Sequence, residues 1–200
     1  MQDAKVILVG GAPGAGKSTL AQELARRLHI TSISIDDLAL ATQGVTTPIS
    51  HPGLHLMRTG DHLTYFTSNP PERLISDASE QHDALWPAIE RVIRAHAKWR
   101  EPIVIEGWAL RPNRVLELGL ANVSSYWLVV EPSVLEEREK KNVEFVRGSE
   151  DPERMLSNFL ARSGWYNDLI RDQASSLGLP ILYQAGDSSV EALCNKIVWK

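Results

Sequence analysis

Gly11-Ala12-Pro13-Gly14-Ala15-Gly16-Lys17-Ser18-Thr19 is the stretch that decides how this 200-residue chain is read. From Gly11 to Ser18 it fits the phosphate-loop pattern G-x-x-x-x-G-K-[ST] without departure. The glycines let consecutive backbone N–H groups curl around phosphate oxygens, and the helix that follows adds the positive end of its dipole. Lys17 can then reach the β and γ phosphates, and the Ser18 hydroxyl can ligate the Mg²⁺ that bridges them. The whole stretch from Gly11 to Thr19 is therefore expected to hold a nucleoside triphosphate, with ATP and Mg²⁺ as the cofactors.

Outward from the loop, five short runs rich in Val, Ile and Leu recur: Val6 to Val9, Ser32 to Ile35, Ile103 to Ile105, Tyr126 to Val130 and Pro180 to Tyr183. Their near-continuous apolar character predicts strands buried on both faces. Between them the period is helical, with Leu20, Leu24 and Leu28 four residues apart and Leu85, Ile89, Val92, Ile93 and His96 on one face. Strand and helix in alternation imply an α/β fold, a parallel sheet covered by helices, in a single domain spanning 1–200. Two stretches break the alternation. Ala41 to Asp83 predicts a cap of short helices over a site, because a structureless loop of that length does not suit a compact domain. Asn142 to Pro152, polar and charged, reads as a lid, and both segments are expected to be mobile and to close over the substrates.

Composition narrows the partners. The chain is 43% apolar with a net charge of −4, which does not favour nucleic acid or an anionic membrane as the main partner and leaves small anions open. One cysteine, Cys194, cannot form an intramolecular disulfide, so a reducing compartment, the cytoplasm, is expected. No apolar run reaches the roughly 20 residues of a membrane helix, and Met1 to Lys5 lack the basic-then-apolar order of an export signal. No Asn-Lys-x-Asp segment is present to read guanine, and the chain is short for a mechanical ATPase. The oligomeric state is left open.

Three further features point at chemistry. Asp36 and Asp37 close the second strand, at the sheet edge where α/β ligands bind; one can face an acceptor while the other, Asp37 by expectation, caps the next helix. Glu106 closes the third strand and can hold Mg²⁺ through water or contact the acceptor, and Gly107 after it allows close approach to a ligand. Arg162 falls inside the apolar stripe Met155, Phe159, Tyr166, Leu169, Ile170 of a helix from Pro152 to about Leu177, so it must meet either a structural carboxylate or the ATP phosphates. His51, His55, His62 and His82 do not have metal-ligand spacing, and the scattered tryptophans suit packing better than a stacking platform.

With these residues in place, the chain resembles the P-loop small-molecule kinases, whose loop often reads Gly-x-Pro-Gly-x-Gly-Lys-Ser/Thr as Gly11 to Ser18 does. Within that group it is similar to 2-phosphoglycerate-kinase-like proteins, with kinship to chloramphenicol phosphotransferase, zeta-toxin kinases and polynucleotide 5′-kinase, through Ile35-Asp36-Asp37 and Ile105-Glu106-Gly107 as well as the loop. The resemblance implies a strand order 2-3-1-4-5 and a base, Asp36, that orients and deprotonates the acceptor hydroxyl. It also implies a Mg²⁺ role for Glu106 beside Ser18, and arginines near the lid, Arg138 and Arg147, that neutralise the transferring phosphoryl. An anionic acceptor would be anchored by Arg111, with Arg58, Arg73 and Arg114 as further cations. The activity implied is transfer of phosphate from ATP to a hydroxyl of a small molecule, such as 2-phosphoglycerate or a similar hydroxy acid. Kinases of a nucleoside, nucleotide sugar or antibiotic, and a slow ATP-hydrolysing switch, are the alternatives.

Overall fold

A computed structural model describes residues 6–58, 61–186 and 188–197. Five strands, β1 (Val6–Gly11), β2 (Thr31–Ser34), β3 (Ile103–Glu106), β4 (Val123–Val130) and β5 (Ile181–Gln184), form one parallel sheet in the order β2-β3-β1-β4-β5. That is the order expected. The central strands β1 and β3 are buried along their whole length, which is why their sequences run apolar without alternation. β2 departs from the expectation of two buried faces: it is the sheet edge, paired with a strand on one side only, and half-exposed.

Helices cover both faces. On one face α1 (Lys17–Leu28) and α9 (Val190–Asn195) pack Leu20, Leu24, Leu193 and Cys194 onto Ile7, Val9 and Leu128. On the other, α4 (Pro71–Trp99) and α8 (Pro152–Ser176) pack Leu85, Ile89, Ile93 and Ile170 onto Leu8, Ile105 and Trp127. α2 (Ile35–Gly44), a 3-10 turn over Pro52–Arg58 and α3 (His62–Ser68) make the cap. The cap has no boundary at Asp83, because α4 runs unbroken from the cap into the sheet layer, with Pro87 inside it. After β3 come α5 (Pro112–Glu117), then β4, α6 (Pro132–Lys141) and the one-turn α7 (Val143–Val146).

The lid is less polar in its packing than its sequence suggests. Phe145 of α7 sits edge-on to Phe66 of α3 at 5.2 Å and to Phe159 of α8 at 4.9 Å, so one aromatic side chain anchors the segment to the cap. A small core of Tyr65, Phe66 and Leu74 with Met155 and Phe159 of α8 ties the cap to that helix. Among the described residues, no helix is long and apolar enough to cross a membrane.

Register places the site. Glu106 of β3 pairs with Val9 of β1 on one side and with Ser34 of β2 on the other. The carboxyl ends of the three strands are therefore level, and the segments leaving them, Gly11 onward, Ile35 onward and Gly107 onward, emerge at one edge.

Candidate active site

The phosphate loop turns between β1 and α1 on two left-handed glycines, Gly14 at φ 76° and Gly16 at φ 91°, the latter the cap of α1. Any other residue at Gly14 would also drive its Cβ into Leu135 Cδ1 at 2.5 Å. Lys17 folds back along the loop and donates to the Ala12 carbonyl at 2.8 Å. It is buried and makes no ion pair among the described residues. Burial lowers its pKa, and the charges of Glu106 and Asp36 act in the opposite direction. A desolvated ammonium held by one carbonyl, with two carboxylates in electrostatic reach, suits phosphate oxygens as its missing partners.

Ser18 donates to Glu106 Oε1 at 2.9 Å. That places a hydroxyl and a carboxylate together beside the loop, and this donor pair fits Mg²⁺, a hard cation that takes oxygen ligands. Asp36 stands exposed at the first turn of α2, on the same edge. The cap of that helix is Ser34, whose hydroxyl accepts from the Asp36 N–H at 3.2 Å, so Asp37 is not the cap and is simply exposed. Sequence reading missed this because Ile35, expected to end the strand, is already helical. Gly107 likewise has a different task from the one expected. A Cβ there would meet Ile35 Cβ at 2.6 Å, so the glycine lets α2 approach β3.

The charge run on α6 divides by face. Glu136–Lys140 and Glu137–Lys141 are exposed pairs four residues apart. Arg138 turns inward, donating to Gln184 Oε1 at 2.9 Å and lying 3.5 Å from the Gly14 carbonyl. Glu139 is buried against Gly14, with Asn142 as its donor. Arg147 of the lid makes no hydrogen bond or ion pair with the loop among the described residues; it is mostly exposed and pairs with Glu144.

A second group of side chains converges between α4, α8 and the segment after β3. Arg111 donates to the Tyr166 hydroxyl at 3.1 Å and lies 3.6 Å from Asp83, which also accepts from Arg114 at 2.7 Å. Tyr166, fully buried, is 2.8 Å from His82 Nδ1. Trp108 stands perpendicular to His82 at 4.2 Å and edge-on to Tyr166 at 5.2 Å. Arg162 is only 6% exposed and meets no carboxylate among the described residues, so the structural salt bridge is ruled out there. Its guanidinium lies 4.7 Å over Phe66, 5.0 Å over Trp108 and 5.7 Å over Phe159, with Met57 Sδ at 3.8 Å. Burial lowers its pKa to about 10, which still leaves it charged at neutral pH. The side chain of Arg58 lies outside the described residues. His51, His55 and His62 have separate partners in Ser50, Thr46 and Asp61. His82, Trp108, Tyr166 and Gln184 are the residues the sequence reading did not place in the site. For His82 a signal existed: like Arg162, it is a polar residue in an apolar stripe, four residues after Ala78.

A phosphate loop on this sheet order, with a helical cap and lid, defines a P-loop nucleotide-binding protein with the kinase fold. The chain belongs to the AAA domain family, whose pattern matches residues 7–155. It is 27% identical over 200 residues to the 2-phosphoglycerate kinase of Methanocaldococcus jannaschii, covering 96% of this chain and 62% of that protein. It is 32% identical over 118 residues to a tRNA dimethylallyltransferase of Rhodospirillum centenum, covering 59% of this chain and 35% of that one. The chain thus spans between about a third and three fifths of these relatives. Among solved structures, shikimate kinase from Bacteroides thetaiotaomicron superposes with a TM-score of 0.57 at 20% identity, covering 96% of this chain and 95% of that one.

Proposed function

We propose that this protein is an ATP-dependent phosphotransferase acting on a hydroxyl of a small molecule, with 2-phosphoglycerate or a similar anionic hydroxy acid as the acceptor. The observation that carries the reading is Lys17, buried without an ion pair on the phosphate loop and flanked by Glu106 and Asp36. ATP supplies the γ-phosphoryl group, and Mg²⁺ offsets charge on its β and γ oxygens. Lys17 and the loop N–H groups would hold the phosphates, and Ser18 with Glu106 would hold the metal, directly or through water. Asp36 orients the acceptor hydroxyl and takes its proton while the hydroxyl oxygen bonds to the γ-phosphorus and the bond to the departing ADP oxygen breaks. Arg138 already reaches the loop. Arg147 would have to swing inward from its pair with Glu144 to meet the phosphoryl, in keeping with a lid that closes and excludes water. Arg111, together with Arg58, is the proposed anchor of the acceptor's anion. Support for the acceptor class comes from the similarity to a 2-phosphoglycerate kinase over nearly the whole chain and from Arg162, a buried cation that meets no carboxylate among the described residues.

ATP consumption measured with and without 2-phosphoglycerate, glycerate, nucleosides and phenicol alcohols tests the reading. Consumption that rises with one acceptor is expected. Slow, acceptor-independent hydrolysis across the panel would replace the kinase with a nucleotide-dependent switch.

A further inference from the structure

Three buried N–H groups in the second group of side chains have no partner: His82 Nε2, Arg111 Nε and Arg162 Nε. That the histidine atom is a donor follows from its neighbours. A guanidinium can only donate, so the Tyr166 oxygen accepts from Arg111. The buried phenol proton then needs an acceptor, and among the described residues only His82 Nδ1 stands within reach, at 2.8 Å. With Nδ1 accepting, the neutral imidazole carries its proton on Nε2. His82 is 4% exposed, and Arg111, Arg162, Lys17 and Arg114 surround it, all of which oppose a second proton. One aromatic wall gathers the three donors: Trp108 contacts His82 and Arg162, and Tyr166 contacts His82 and Arg111. A desolvated set made of donors alone suits a ligand group made of acceptors alone.

We propose that the Arg111–Tyr166–His82 relay fixes the Nε2–H tautomer of His82, and that this N–H binds the anionic group of the acceptor directly, making His82 a determinant of acceptor specificity. The proposal rests on the kinase reading and deepens it. Tyr166 acts through His82 and is a positioning residue.

Two substitutions separate the imidazole's ends. His82→Asn keeps an acceptor near the Nδ1 position and deletes the outer donor, whereas His82→Gln places an amide N–H close to where Nε2–H stands. With 2-phosphoglycerate as acceptor, His82→Asn should raise KM about tenfold to a hundredfold with a smaller change in kcat, and His82→Gln should recover most of that loss. Tyr166→Phe should raise KM in the same sense and convert part of His82 to the Nδ1–H form. In ¹⁵N-histidine spectra of the wild-type chain, His82 should appear as the Nε2–H tautomer, and its Nε2 resonance should move when 2-phosphoglycerate is added with an unreactive ATP analogue. An Nδ1–H tautomer, an Nε2 resonance indifferent to saturating 2-phosphoglycerate, or an unchanged KM in a folded His82→Asn would overturn the proposal. Turnover with an uncharged alcohol in preference to 2-phosphoglycerate would overturn it while leaving the kinase reading intact. If no acceptor supports turnover, the kinase reading fails, and the spectra alone decide whether His82 binds the anion.

Discussion

The two halves of the site are built from different materials. The proposed nucleotide half rests first on backbone, one turn between β1 and α1 whose glycines supply left-handed φ and whose N–H groups are the expected contacts, with the side chains of Lys17, Ser18 and Glu106 added to it. The proposed acceptor half is made by side chains from three separate elements, His82 on α4, Trp108 and Arg111 after β3, and Arg162 and Tyr166 on α8. A site formed by backbone must be contiguous in sequence, so it leaves a motif. One formed by side chains need only be contiguous in space.

Lys17→Ala should break the nucleotide half most severely, lowering acceptor-dependent turnover by about three orders of magnitude or more, with circular dichroism unchanged. Survival of that activity would detach the loop from catalysis. Asp36→Asn, nearly isosteric and exposed, should lower kcat by about two orders of magnitude or more while ATP affinity holds. If Asp36→Asn turns over normally, Glu106 becomes the first alternative base. Asp37→Asn should change little, whereas Ser34→Ala, which removes the cap of α2, should cost about 1 kcal/mol of stability.

Gly14→Ala and Gly119→Ala sharpen the contrast between backbone strain and site geometry. Both glycines have positive φ, so Gly119→Ala should cost roughly 1–2 kcal/mol in denaturant unfolding, and Gly14→Ala more because of its clash. Only at Gly14 would the new Cβ also meet Leu135, so only Gly14→Ala should weaken ATP binding in calorimetry. Equal ATP affinity in the two variants would mean that the loop's shape matters less than its charge.

The smallest effect is one of pH. Burial first, then Arg111, Arg162, Lys17 and Arg114, holds the His82 pKa well below 6.5 in the folded chain. The unfolded chain therefore binds a proton that the folded chain refuses as pH falls below 6.5. Wild-type stability should be full above that value and decline beneath it, and His82→Gln should remove part of the decline. Parallel melting curves for the two proteins from pH 7.5 to 5 would contradict the buried neutral state.

How much the sequence disclosed follows the same division. All five strands and the loop were legible because each is a local run, while the strand order and the meeting of Ser18 with Glu106 came from the resemblance. Helix starts were less so. Ile35 could continue the strand by its own preference, and only Ser34 accepting from Asp36 commits it to the helix. The aromatic anchor of the lid was hidden because Phe145 is a lone apolar residue whose partners, Phe66 and Phe159, are distant in the chain. Arg162 was visible as a cation in an apolar stripe, but not that aromatic faces rather than acids surround it.

A kinase at this site must send the γ-phosphoryl group to an organic hydroxyl and not to water. Following γ-³²P from labelled ATP into products tests it directly, in the presence and absence of 2-phosphoglycerate. Label is expected in an organic phosphate that forms only when acceptor is present and is lost in Asp36→Asn. Label recovered only as inorganic phosphate, at the same rate with and without any acceptor tried, would contradict the kinase reading.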